Sequence, residues 1–427
     1  MKISVIGCGY VGLVTSLGFA SKNLKVTNID LNKKKIREIE RKKPHIYEPG
    51  LNKLLLKEIN TNYFITQDYS ECVKSDCIFI AVNTPHKKNG IDLSYLISSC
   101  KKILSLLKKK NIKKKIVIVI KSTVVPGTLE LKIKPIFKNF KNIYIVNNPE
   151  FLREGSAVKD FLEPDRIVIG SKDKYVIKIL KKVYSKFNAK KIFVSATEAE
   201  LCKYFSNIIL SNFIAFSNEF SDICEKFENV NYLNILKSFM YDRRFGVQNG
   251  KKILFPEIYK YLIPGPGYGG SCFPKDTKSF FKFAKSKGLN QRILNSIIYQ
   301  NDNRLKNKIK SIKKKFKIFC IIGVGFKEGT IDLRESKSLE LMHNLKSKNN
   351  TIYYIDKKIN LEDKSFKKIN FDDLNKIKLE TLIIMNHSKE TLKYNWKNYS
   401  KKNKTIIYDF RAKLPPGKNI KVIGANF

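Results

Sequence analysis

Cys272 lies in a glycine-crowded run, Pro264-Gly265-Pro-Gly267-Tyr268-Gly269-Gly-Ser-Cys272-Phe-Pro-Lys275-Asp276, with few side chains around its thiol and a lysine and an aspartate close behind. Glycines let backbone approach a ligand closely, and a neighbouring cation lowers the pKa of a thiol. Lys203 and Asn207 stand at i and i+4, so on a helix they share one face. An ammonium and a carboxamide placed that way can both donate to one oxygen that gains negative charge. The run Asn148-Pro-Glu150-Phe151-Leu152-Arg153-Glu154-Gly offers two carboxylates. With Asp276 they are candidates for a general base or a group that orients water. The fourth run is Gly325-Phe326-Lys327-Glu-Gly-Thr-Ile-Asp-Leu-Arg334-Glu-Ser. Each has a bland reading: paired glutamates form a solvated face, a helical lysine points at water, and a loop cysteine is inert.

A fifth constellation opens the chain. Ile3-Ser-Val-Ile-Gly7-Cys-Gly9-Tyr10-Val11-Gly12 reads as a strand running into G-x-G-x-x-G and then an apolar helix. Those glycines allow a tight turn, the approach of a pyrophosphate to the helix N-terminus, and close helix–strand packing. Asp30 closes the next strand-like run, Val26-Thr-Asn-Ile-Asp30. A carboxylate there can bind both ribose hydroxyls and repel a 2′-phosphate, which selects NAD over NADP; Lys34 lies beside it. The later Gly323-Val-Gly325 lacks the third glycine, so no dinucleotide is expected on that part of the chain.

The elements that must position these groups follow from hydrophobic patterning. Apolar, β-branched runs at Ile3–Ile6, Val26–Ile29, Ile78–Val82, Ile116–Ile120, Ile143–Val146, Ile167–Ile169 and Ile192–Val194 alternate with amphipathic stretches. That alternation predicts βαβ units and a doubly wound, mainly parallel sheet. Thr197 with Glu200 reads as a capping box, and helical spacing of apolar residues continues to about Lys226. Strand signals return at Phe319–Ile322, Ile352–Ile355, Leu382–Met385 and Ile406–Tyr408. The expected architecture is α/β: two Rossmann-like doubly wound parallel-sheet domains joined by a long central helix and a helical middle domain. The expected boundaries are 1–196, 197–305 and 306–427.

Composition narrows the class. The formal charge of +45 invites a nucleic-acid-binding reading, but the excess is lysine scattered in short runs such as Lys108–Lys110, without aromatic interleaving. We read it as a global compositional bias, with no nucleic-acid partner. The longest purely aliphatic run, Ile116–Ile120, is far below the roughly 18 residues of a membrane span. The glycine-interrupted N-terminus is read as mature protein rather than a signal peptide. Eight cysteines without a C-x-x-C pair and four histidines without ligand spacing predict reduced thiols, no metal site and a cytoplasmic protein.

Taken in order, GYVG, NPEFLREGSA, K-x-x-x-N, GPGYGGSCFPKD and GFKxGTxDLRES closely resemble the UDP-glucose/GDP-mannose dehydrogenase family over essentially the whole chain. The cysteine loop and the EFLREGSAVKDFLEPDRIVIG segment are worded most like its UDP-glucose branch. One stretch departs from the family pattern: Val247–Ile263 is longer and rich in Lys, Ile and Tyr. The resemblance implies an NAD-dependent oxidation of a primary alcohol to a carboxylate, with UDP-glucose as substrate. That change removes four electrons, so two NAD act in sequence, and a thiolate can retain the intermediate aldehyde as a thiohemiacetal and then a thioester.

The resemblance places that covalent role on Cys272, with Lys203, Asn207, Asp276, Glu154 and Thr123 in catalysis. It places Thr84 and Thr123 on the nicotinamide and ribose side, with Arg334 and Lys275 reaching the cofactor. Nucleotide and sugar would meet Glu150, Phe151, Leu152, Arg153, Gly265, Gly267, Tyr268, Gly269, Phe326 and Lys327. Arg244 would come from the partner of a homodimer built on the long helix. Two enzyme alternatives stay open: the same chemistry on a UDP-N-acetylhexosamine or GDP-mannose, and a two-electron dehydrogenase, which would have no use for Cys272.

Overall fold

The computed structural model describes residues 1–87, 90–250 and 252–426. They form two compact units, Met1–Phe205 and Ser206–Phe427. In the first unit six strands, Lys2–Ile6, Lys25–Ile29, Tyr63–Thr66, Cys77–Ile80, Ile116–Ile120 and Ile143–Asn147, pair in parallel in the order 3-2-1-4-5-6. This is the doubly wound order whose switch point lies between the first and fourth strands. Two more strands extend the sheet: Arg166–Gly170 turns antiparallel to the sixth at Asn147 and Gly170, and Lys190–Val194 runs parallel to Arg166–Gly170.

The strands are apolar on both faces because helices cover both. Val117 and Val119 belong to one core with Val5, Phe79 and Leu17. Ile116, Ile118 and Ile120 belong to the other, with Ile6, Ile80 and Ile103. Side-chain direction alternates along a strand, so one five-residue run feeds two cores. Each such side chain contributes about 1.5–3 kcal/mol by leaving water.

The long helix runs Ala196–Cys224. Its capping box is Ser195 with Glu198, a correction to the Thr197–Glu200 expectation. The Ser195 hydroxyl accepts from the Glu198 amide at 3.2 Å and the Glu198 carboxylate accepts from the Ser195 amide at 2.6 Å. Two overlapping S/T-x-x-E matches exist here, and the helix uses the first because the preceding strand ends at Val194. Glu200 is instead buried and accepts from the Gly127 and Leu129 amides at 2.6 and 2.9 Å.

The second unit holds a six-stranded sheet, Ile318–Ile322, Thr351–Ile355, Phe366–Lys368, Thr381–Ile384, Ile406–Asp409 and Ile420–Val422. It is parallel throughout, again in the order 3-2-1-4-5-6. Its helices include Phe273–Ser286 and Arg292–Lys315. In the two large sheets three strands carried no sequence expectation: Tyr63–Thr66, Phe366–Lys368 and Ile420–Val422. All lie at sheet edges, where a strand is short and needs fewer apolar residues. Within the Val247–Ile263 stretch, Val247–Asn249 pairs antiparallel with Lys252–Leu254, and a 3₁₀ turn follows at Glu257–Tyr261. Lys251 lies outside the described residues. Among the described residues no helix is long and apolar enough to cross a membrane, and no disulfide joins any of the eight cysteines.

Candidate active site

The cofactor turn is set by backbone crowding. Gly7 has φ +97°, and a Cβ on Gly12 would lie 1.9 Å from the Gly7 carbonyl oxygen, so only glycine lets the helix Tyr10–Ala20 start this close to the strand. At Gly9 a Cβ would meet nothing nearer than Asn83 Oδ1 at 3.6 Å. This open backbone at a helix N-terminus fits a dinucleotide pyrophosphate. Asp30 Oδ2 accepts from the Cys8 amide at 2.6 Å and Oδ1 from the Asn32 amide at 2.8 Å. The carboxylate expected to meet the ribose thus also ties the glycine turn to the end of the second strand. Lys34 is exposed nearby. The second unit repeats the tie, with Asp356 Oδ2 accepting from the Val324 amide at 2.9 Å. Farther along the first sheet, Thr84 donates to the Thr123 carbonyl at 2.8 Å, which brings two expected cofactor residues together.

The Glu150–Glu154 segment and the start of the long helix form a buried charge cluster. Lys203 Nζ lies 2.8 Å from Glu150 Oε1, with side chains 5% and 7% exposed. The second Glu150 oxygen accepts from the Leu152 amide at 2.6 Å. Burial raises the Glu150 pKa, but the charge and hydrogen bond of Lys203 outweigh it and leave the carboxyl below its ordinary value. A third member escaped sequence reading. Lys121 directly follows the strand Ile116–Ile120, is buried, and donates to Asn148 Oδ1 at 3.3 Å. Burial lowers its ammonium to about 8; Glu150 opposes that shift and Lys203 adds to it. A lysine placed straight after a wholly apolar strand, at the strand's carboxyl end, was the available signal. Phe151 is covered by the Arg166 guanidinium at 4.2 Å. Arg153 lies mainly on Asp160, at 3.0 Å from Nε and 2.6 Å from Nη2.

In the second unit Cys272 occupies the N-cap of the helix Phe273–Ser286, with Pro274 in its first turn. The helix start directs unpaired amides and partial positive charge at this end, a setting that suits a thiolate. Ser271 Oγ is 3.5 Å from the sulfur. Asp276, 1% exposed, takes Lys275 Nζ at 2.5 Å on one oxygen and Asn207 Nδ2 at 2.6 Å on the other. Sequence reasoning had directed Asn207 at the same oxygen as Lys203, and Lys275 at the thiol. Both instead satisfy Asp276, because a buried carboxylate needs donors.

The glycine loop is anchored from behind. Arg304, which sequence reasoning also missed, is fully buried and donates to the Gly265 carbonyl at 2.5 Å; Asn218 accepts from the Gly265 amide and Asn301 from the Tyr268 amide. Gly267 takes φ +111°, and the Tyr268 ring packs into a core with Ile297 rather than facing solvent. A Cβ on Gly269 would lie 2.2 Å from the Glu335 carbonyl oxygen, so this loop presses against the Arg334 loop. Gly270 donates to the Arg334 carbonyl at 3.1 Å. Phe326 is half-buried and Lys327 exposed. The guanidiniums of Arg334 and Arg244 reach solvent beside Asp332 and Asp242.

A glycine turn at the switch point of a doubly wound sheet, with threonines just past neighbouring strands, defines a dinucleotide-binding protein. Residues 1–188 match the NAD binding domain of the UDP-glucose/GDP-mannose dehydrogenase family, residues 197–303 its central domain and residues 320–416 its UDP binding domain. The UDP-glucose 6-dehydrogenase of Rickettsia conorii is 34% identical over 444 residues, covering 100% of this chain and 98% of its own. TuaD of Bacillus subtilis, also a UDP-glucose 6-dehydrogenase, is 35% identical over 352 residues, covering 80% and 72%. The structure of a UDP-glucose dehydrogenase from Pyrobaculum islandicum superposes with a TM-score of 0.88 at 29% identity, covering 99% and 98%. A UDP-D-ManNAc dehydrogenase from Pyrococcus horikoshii shares the fold, with a TM-score of 0.81 at 23% identity. The chain belongs to the UDP-glucose/GDP-mannose dehydrogenase family and is an NAD-dependent oxidoreductase of nucleotide sugars.

Proposed function

We propose that the chain oxidises UDP-glucose to UDP-glucuronate through covalent intermediates on Cys272. The supporting observation is whole-chain similarity to a relative named for UDP-glucose, together with a thiol at a helix start behind a glycine loop. The balance is one CH2OH and one water giving one carboxylate, with two NAD⁺ reduced to two NADH and three protons released. Bound NAD supplies the hydride acceptor for both oxidations.

The residues hold charge and move protons. Lys203, whose ammonium is a compact donor, stabilises the developing oxyanion. The Cys272 thiolate adds to the aldehyde carbon to form the thiohemiacetal, whose oxidation leaves a thioester. Asp276, oriented by Lys275 and Asn207, activates the water that cleaves it. Glu154 assists from the other carboxylate run, and Gly7, Gly9, Tyr10, Val11, Gly12, Asp30, Thr84 and Thr123 hold the cofactor. Lys327 and the backbone of Gly267 and Gly269 take the nucleotide, and Arg334 reaches the cofactor.

We further infer a cytoplasmic homodimer. Phe216, Phe220 and Ile223 recur at helical spacing on the long helix and are 61%, 38% and 51% exposed. An apolar stripe of that kind is covered in a partner contact. Three domains divided near 196 and 305 remain our reading of the chain's organisation.

A panel of UDP-glucose, UDP-N-acetylhexosamines and GDP-mannose with NAD, followed by NADH absorbance, tests the substrate. Two NADH per UDP-glucose, with slower turnover on the others, is expected. One NADH per sugar would refute the four-electron reaction, and faster turnover of another sugar would refute UDP-glucose.

A further inference from the structure

The Glu150–Glu154 segment is fastened to the cofactor turn by a residue that no motif singled out. Glu48 is buried in the connection ahead of the helix Leu51–Glu58. Its Oε2 accepts from the Tyr10 hydroxyl and from the Gly155 amide at 2.9 Å; its Oε1 accepts from the Ala157 amide at 2.7 Å. Tyr10 is the first residue of the helix that rises from the glycine turn. Gly155 follows Glu154 directly, and Ala157 begins the helix Ala157–Leu162, whose own N-cap, Ser156, makes no side-chain cap. One carboxylate therefore satisfies an orphan helix amide, a loop amide and the tyrosine of the cofactor turn. The Tyr10 hydroxyl also feels the charge of Glu154.

We propose that Glu48 is a positioning residue: its carboxylate locks the Glu154 loop to the Tyr10 end of the cofactor turn, so that cofactor and catalytic carboxylate are placed together. This rests on the proposed role of Glu154 in nucleotide-sugar oxidation. An error of about 1 Å in such placement costs on the order of 100-fold in rate. A carboxylate with two oxygens serves three donors here, whereas a carboxamide offers one acceptor oxygen and sets an N–H against the remaining donors.

The test uses the full chain with Glu48→Gln and, as the milder change, Tyr10→Phe. Circular dichroism and thermal melts first establish which variants fold. For Glu48→Gln we expect kcat to fall about 10- to 100-fold and KM for NAD to rise. Tyr10→Phe should move the same parameters less, and the double variant should be no worse than Glu48→Gln. A lower melting temperature with native kcat and native KM for NAD would make Glu48 a structural clamp only and overturn the proposal. If Glu48→Gln does not fold, native kinetics in Tyr10→Phe would overturn it equally. Should the native protein yield no NADH from any nucleotide sugar, the functional reading fails separately. Calorimetric NAD affinity then decides, with several-fold weakening in either variant expected and unchanged affinity in both overturning the lock.

Discussion

Asn207 donates its amide to Asp276 at 2.6 Å, and the long helix thereby holds the carboxylate that stands four residues beyond Cys272. Lys275 grips the other oxygen. An aspartate enclosed in this way is held in one orientation, which the proposed activation of a water requires.

Replacing Asp276 by Asn removes the charge that both donors serve. We expect turnover to fall about 100-fold or more, since general-base contributions run to that size. Stability should fall by about 1–3 kcal/mol because the Lys275 ammonium loses its partner. Steady-state NADH formation and urea unfolding separate the two effects. Native turnover in a destabilised Asp276→Asn protein would reduce Asp276 to an anchor.

Cys272→Ser keeps the shape but substitutes a hydroxyl that ionises with difficulty. Steady turnover should collapse, while oxidation of the alcohol to the aldehyde persists. An ester at the new serine would hydrolyse slowly and be visible as a sugar adduct in an intact-mass spectrum. Added UDP-sugar aldehyde isolates the second oxidation, and its conversion to acid at the native rate would rule out Cys272 as the covalent catalyst.

Asp30 ties the glycine turn in the structure and is proposed to meet the cofactor ribose, so Asp30→Ala should show two consequences. Loss of the Cys8 and Asn32 amide bonds should lower stability by about 1–2 kcal/mol. The ratio of kcat/KM for NAD to that for NADP should drop as the 2′-phosphate ceases to be repelled. An unchanged ratio would show that the carboxylate holds the turn without choosing the cofactor.

Lys121 predicts a pH effect of definite sign. Near pH 7 it is protonated in both states, and the folded protein bears the cost of a buried charge. As pH rises from about 8 towards the ordinary lysine value of about 10.4, the unfolded chain keeps a proton that the folded chain has lost, and stability is gained. Lys121→Met lacks this dependence. Its stability relative to the native protein should therefore be greatest near pH 7 and decline by roughly 3 kcal/mol towards about pH 10. Urea unfolding at both pH values measures it; a difference that does not change with pH would mean that the buried lysine keeps its proton as readily as it does in the unfolded chain.

Features governed by neighbouring residues were legible in the amino-acid order. The spacing of Gly7 and Gly12 states a backbone demand that no other residue meets, and the β-branched run Ile116–Ile120 reads as a strand covered on both faces. The family resemblance of its loop points to the Cys272 thiol, whereas its place at a helix start belongs to the structure. Short edge strands such as Phe366–Lys368 were not legible, because a strand with one partner and an exposed face needs little apolar patterning. The overlapping capping signals at Ser195 and Thr197 could be ranked only once the preceding strand's end was known. The polar pairings belong wholly to tertiary structure. Glu150 with Lys203, Asp276 with Asn207 and Glu48 with Tyr10 join residues far apart in the chain, and no local period encodes which buried carboxylate a distant donor will reach. Those partners are selected when burial removes water and leaves each charge to find the nearest group that can replace it.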